Sequence, residues 1–196
     1  MVDVVVKIGG GLMAHTEGFD AVLRTIGTAA QERRLLVVPG GGPFADLVRK
    51  VYREFHLSED AAHWMAVLAM EQYAHLIAER LTGGLVVTQR RHIESALDAG
   101  RVPVLAPLRW LQEDDPLPHS WTVTSDSIAA WVCDAIGAAH LVLVKPPRAT
   151  GNDLVDPHFR FVISTHVTPV IVPADQLGAL HAALRASSAQ SSPAAG

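Results

Sequence analysis

Val4-Val5-Val6-Lys7-Ile8-Gly9-Gly10-Gly11 is the stretch on which the reading of this chain turns. A β-branched run without polar alternation reads as a strand covered on both faces. Consecutive glycines after it let the backbone turn sharply and bring N–H groups close to a ligand. Lys7 then sits at the carboxyl end of the strand, where open α/β sheets bind ligands. An ammonium there can neutralise phosphoryl oxygens. The plainer alternative is a strand-terminal lysine reaching water beside a flexible turn.

The pattern recurs in Leu35-Leu36-Val37-Val38-Pro39-Gly40-Gly41-Gly42-Pro43-Phe44. Here a strand runs into a glycine turn and a helix start. Pro43 suits the first helical position, where a missing N–H does no harm, and the helix N-terminus offers free amides to an anion. Two such turns at strand ends favour a phosphate cradle over a pair of ligand-free connections.

Working outward, Val102–Leu105, Leu141–Val144 and Val170–Val172 read as further buried strands, with Leu85–Val87 a shorter one. Between them lie helical patterns. Phe19, Val22, Leu23 and Ile26 share a face, as do Phe44, Leu47, Val48 and Val51. The longest helix is expected from about Ser58 to Leu81, with Met65, Leu68, Ala69, Gln72 and Leu76 at three- and four-residue steps. Later helices are expected over Ile93–Leu97, Ser127–Ile136 and Leu177–Leu184. This alternation predicts an α/β fold, a mostly parallel sheet with helices on both faces. One domain over 1–186 is expected, followed by a disordered tail, 187–196, built of Ser, Ala, Gln, Pro and Gly. Glu113 to His119, with two prolines, reads as an irregular loop.

With 16 basic and 20 acidic residues in 196, the chain has no basic footprint for nucleic acid. Its apolar runs are too short to span a bilayer, and Met1–Lys7 has no secretory pattern, so a cytoplasmic location is expected. The single cysteine, Cys133, excludes an intramolecular disulfide and a Cys-based metal centre within one chain. No protein metal site is expected. Trp64, Met65 and Tyr73 spread around the long helix, so either a sheet or a twofold partner must cover them.

A third motif is Trp121-Thr122-Val123-Thr124-Ser125-Asp126-Ser127. Thr124, Ser125 and Asp126 are good helix N-caps. Functionally, Asp126 can accept from Lys7, or orient Lys145 at the end of the next strand. Gly40-x-Gly42-x-x-Ala45 formally fits a dinucleotide fingerprint, but Glu59 and Asp60, at the right distance for its acid, follow no strand. A nicotinamide or flavin role therefore ranks below phosphoryl transfer.

The Lys7–Gly10 opening and the Pro39–Gly42 turn resemble the two glycine signatures of the amino acid kinase superfamily. Leu57–Ala66, Ala69–Tyr73 and Ser120–Trp131 look like its small branch in methanofuran and methanopterin biosynthesis. The resemblance implies a three-layer αβα sandwich, a kinase using ATP with Mg2+, and a homodimer. It implies that Lys7 touches the transferring group and that Asp126 organises the site. The turns would hold the γ-phosphate (Gly9, Gly10, Gly11) and the acceptor (Gly40, Gly41, Gly42, with Thr124 and Ser125). In the methanofuran branch the acceptor would be an aminomethylfuran methyl phosphate, converted to its diphosphate. The chain departs from the family in three places. Gly11 replaces a serine, Lys145-Pro146-Pro147-Arg148 replaces an Asp-Val-Asp-Gly turn, and no Gly-Met-x-x-Lys segment supplies a second lysine. Lys145 is the candidate for that role, and Asp156, in Val155-Asp156-Pro157, for a nucleotide contact. A reduced carboxyl-terminal nucleotide lobe is expected; a non-catalytic subunit that keeps the cradle is the alternative.

Overall fold

A computed structural model describes residues 1–150 and 154–186. The tail expected at 187–196 lies outside the described residues.

The strands are β1 (Val4–Ile8), β2 (Leu35–Pro39), β3 (Gly84–Val87), β4 (Val102–Leu105), β5 (His140–Lys145) and β6 (Thr168–Pro173). They form one parallel sheet in the order β3-β4-β2-β1-β5-β6. The helices are α1 (Thr16–Ala29), α2 (Gly42–Phe55), α3 (Glu59–Arg80), α4 (Arg90–Asp98), α5 (Leu108–Asp114), α6 (Ser125–Ala135), α7 (Phe159–Val162) and α8 (Leu177–Arg185). A 3-10 turn, Gly10–Ala14, links β1 to α1.

Alternate residues of a strand point to opposite faces, and the two cores divide accordingly. Val5, Leu36, Leu141 and Leu143 pack against α4, α5 and α6. Val4, Val6, Ile8, Leu35 and Val142 pack against α1, the end of α3 and α8. The sequence parity has a consequence for charge. Lys7 shares its parity with Val5, and Lys145 with Leu141 and Leu143, so both lysines face the α6 layer.

Three expectations change. Val170–Val172 was expected as a buried strand, yet in β6 Val170 and Ile171 are exposed and only Val172 is buried. β6 is a sheet edge, as is β3, where Leu85 is exposed. Of the α3 residues spaced at three- and four-residue steps, Ala69 is buried and Leu76 packs against the core, whereas Met65, Leu68 and Gln72 do not enter it. The core side is Met70, Tyr73, Ala74 and Ile77, while Met65 and Leu68 meet Phe44, Leu47 and Val51 of α2 along an open apolar groove. Finally, Glu113 and Asp114 close α5 rather than begin a loop, because Trp110 and Leu111 anchor that helix to the sheet.

Candidate active site

Lys7, Asp126 and Lys145 meet at the carboxyl end of β1 and β5. Lys7 Nζ lies 2.9 Å from Asp126 Oδ1, and Lys145 Nζ donates to Asp126 Oδ2 at 2.6 Å. All three are buried, at 4%, 5% and 8% exposure in sequence order. Burial by itself would raise the Asp126 carboxyl; the two ammoniums overcome it and hold the pKa below the ordinary carboxylate value. For Lys145, burial and then the Lys7 charge lower the pKa, with Asp126 working against them. Two cations share one anion here. Such a surplus is costly away from water, and an incoming phosphoryl group would neutralise it.

The two glycine turns stand back to back beside this cluster. A Cβ on Gly10 would come within 2.2 Å of the Gly42 nitrogen, so the turns touch through backbone alone. Gly42 has φ of 57°, a conformation that favours glycine. Gly9 donates to the Val144 carbonyl at 2.8 Å and Gly40 to the Ile8 carbonyl at 2.8 Å, which ties both turns to the ends of β1 and β5. Gly41 and Gly42 open α2, whose first amides have no intrahelical acceptor.

Gly10, Gly11, Gly41 and Gly42 form one wall of a cavity of about 230 Å³. Its apolar lining comes from Ala45, Ala66, Val67, Met70, Val123 and Ile128, and its polar rim from Asp46, Arg49 and His63. Thr124 and Ser125 line it too, but they differ. The Thr124 N–H and hydroxyl both go to Asp156, at 3.0 and 2.7 Å. Asp156 is buried beneath the α6 N-terminus and turned inward to that helix.

His63 belongs to a stack that the sequence did not reveal. Its ring lies 4.2 Å from that of His119, nearly parallel. His119 is hydrogen-bonded through Nδ1 to Asp60 and through Nε2 to Asp115, the latter at 2.8 Å. Burial first, then the neighbouring His119, hold His63 at a pKa of about 4. Burial alone would lower His119, but its two carboxylate partners raise it. The cavity therefore presents a neutral imidazole at neutral pH. The signal available in sequence was spacing, since His63, Ala66, Val67 and Met70 share one face of α3. Arg49, one turn along α2 from Ala45 and lying 5.1 Å over the Trp121 ring, was likewise missed.

A buried Lys-Asp-Lys cluster and paired glycine turns at the switch of a parallel sheet define a phosphate-handling α/β protein, and the chain belongs to the amino acid kinase family, whose model matches residues 4–146. Among characterised relatives, it is 27% identical over 144 residues to the (5-(aminomethyl)furan-3-yl)methyl phosphate kinase of Methanocaldococcus jannaschii, covering 71% of this chain and 63% of that one. The chain thus matches less than two thirds of that relative's length. Its fold is that of the uridylate kinase of Archaeoglobus fulgidus, with a TM-score of 0.70 at 17% identity, over 95% of this chain and 97% of that one. The UMP kinase of Ureaplasma parvum gives 0.67 at 13% identity, over 89% and 91%.

Proposed function

We propose that this kinase transfers the γ-phosphoryl group of ATP to a small phosphorylated acceptor of the aminomethylfuran methyl phosphate type, in the synthesis of a one-carbon carrier cofactor. The observation that carries the reading is the buried pair of ammoniums on Asp126 beside two amide-rich turns. Phosphoryl transfer needs positioning and charge neutralisation more than covalent chemistry. Lys7 and Lys145 supply the charge; Asp126 holds both in place. The glycine turns bring two anions, donor and acceptor, close together against their mutual repulsion.

The acceptor half of the site suits a small ring. Its wall is apolar between the turns and the Asp46, Arg49 and His63 rim. Asp126, the buried carboxylate at the centre, is already taken up by two ammoniums, ion-paired with Lys7 through Oδ1 and accepting from Lys145 through Oδ2. Mg2+ would therefore enter with the phosphates it accompanies and would supply charge neutralisation there, with Lys7 and Lys145 adding theirs.

The test is the pure protein with Mg-ATP and a panel containing the aminomethylfuran phosphate, UMP and other small phosphates, read as ADP release. The expected result is turnover with the furan phosphate above the rest, and loss of about 10²–10³-fold in Lys7→Ala. No ADP release with any acceptor, together with no ATP-induced thermal shift, would sink the reading. It would favour the second one, a non-catalytic subunit that keeps the cradle. What supports that alternative is Lys145-Pro146-Pro147-Arg148, which stands in place of the Asp-Val-Asp-Gly turn that the family resemblance implies.

We further propose that the α2–α3 groove is covered by a second copy of the chain. Phe44, Leu47, Val51, Met65, Leu68 and Gln72 line it without a charge among them, and Leu47 is 61% exposed. A patch of this kind marks an association surface.

A further inference from the structure

Asp156 is a buried carboxylate to which the transfer chemistry gives no task. It lies well beyond β5 in sequence, yet returns to the N-terminus of α6. Its Oδ2 accepts from the Thr124 N–H at 3.0 Å, the Thr124 hydroxyl at 2.7 Å and the Ser127 N–H at 3.0 Å. Its Oδ1 accepts from the Ser127 hydroxyl, from the His158 N–H at 3.1 Å and from the Phe159 N–H at 2.9 Å. An ordinary helix cap satisfies one or two amides with a side chain from the cap itself. Here a distant carboxylate gathers two residues of the helix start and two of its own turn.

The positions of those residues matter. Thr124 is the N-cap of α6 and Ser127 its third residue. Asp126 stands between them. The side chain that holds both lysines is therefore carried on backbone clamped at either side by one carboxylate. We infer that Asp156 is a positioning residue of the transfer centre: by gripping Thr124 and Ser127 it fixes Asp126, and through Asp126 the two ammoniums. Its kinetic consequence rests on the kinase reading above; its geometry does not. A direct contact to nucleotide, the role expected from sequence, has little room. A carboxylate offers about four lone-pair directions, and the six donors occupy them.

Asp156 also acts through its charge. It raises the pKa of Lys145, against burial and the Lys7 ammonium. Replacing it by an amide of the same shape removes that charge and turns an acceptor toward donors.

The experiment compares Asp156→Asn and the milder Ser127→Ala with the wild type, as full chains. Amide hydrogen exchange over residues 126–130 should quicken in both while β2 and α1 hold. In Asp156→Asn, kcat should fall about tenfold to a hundredfold, as small misplacements of reacting groups do, with acceptor KM little changed. The basic limb of its pH–rate profile should move to lower pH, because Lys145 has lost a facing negative charge. If Asp156→Asn does not fold, Ser127→Ala carries the exchange and kcat readouts with smaller effects. Wild-type exchange in α6 with unchanged kcat overturns the inference. So does a raised ATP KM with kcat and α6 exchange intact, which would make Asp156 a nucleotide contact. A wild type inactive toward every acceptor defeats the kinase reading alone, since exchange in α6 still decides the clamp.

Discussion

Asp126 is the residue on which two buried cations depend. Removing one partner of a buried ion pair costs about 3–5 kcal/mol, because the other charge is left uncompensated. Asp126→Ala should therefore lower the urea midpoint as well as abolish transfer, whereas a surface carboxylate such as Asp98 should tolerate the same change. The pH dependence has a definite sign. Because the folded carboxyl has a depressed pKa, its contribution is complete above the unfolded value of about 4 and is lost as pH falls through the lower folded value. Urea melts between pH 6 and pH 3 should show that acid-labile part in the wild type and not in Asp126→Asn. Gly10 makes the contrasting steric case. An added methyl would meet the Gly42 backbone at 2.2 Å, so Gly10→Ala should cost about 1–3 kcal/mol. Gly178→Ala, in α8 with nothing within 4 Å, should be neutral or stabilise by up to about 1 kcal/mol. Thermal melts of the two variants check both.

Two elements, the start of α3 and the loop after α5, are joined by the histidine stack. His63 and His119 are expected to titrate in opposite directions from a common ordinary value. The depressed His63 disfavours the folded state as pH falls from about 6.5 toward 4, because the unfolded chain takes up the proton first. The raised His119 contributes fully below about 6.5 and loses its contribution as pH rises through its folded pKa. Ring-proton NMR should find His63 titrating near pH 4 and His119 above the usual histidine range. Two ordinary titrations would mean that the stack does not persist in solution. Sequence gave no hint of this pairing, since Asp60, Asp115 and His119 come together only when the loop folds back on α3.

For the whole molecule, the open groove between α2 and α3 sets the expected assembly. The chain should run as a dimer in light scattering, and Leu68→Glu should shift it to monomer with its melting curve little changed. A wild-type monomer at high concentration would refute that assembly. Met65 and Leu68 repeat with the helical period, and period alone does not tell a core face from the wall of an open groove between two helices.

The sequence by itself determined the strand–helix alternation, the two glycine turns and the parity that sends Lys7 and Lys145 to one face of the sheet. These are local properties: side-chain period, glycine and proline chemistry, and β-branched runs. Only the tertiary structure decided that the turns lie in contact, with Gly10 against Gly42, and that Asp126 bridges both lysines. It also decided that Asp156 faces the α6 N-terminus. Each of these depends on strand order, which put β5 beside β1 and left β6 at the edge, and a one-dimensional pattern does not encode which strands become neighbours.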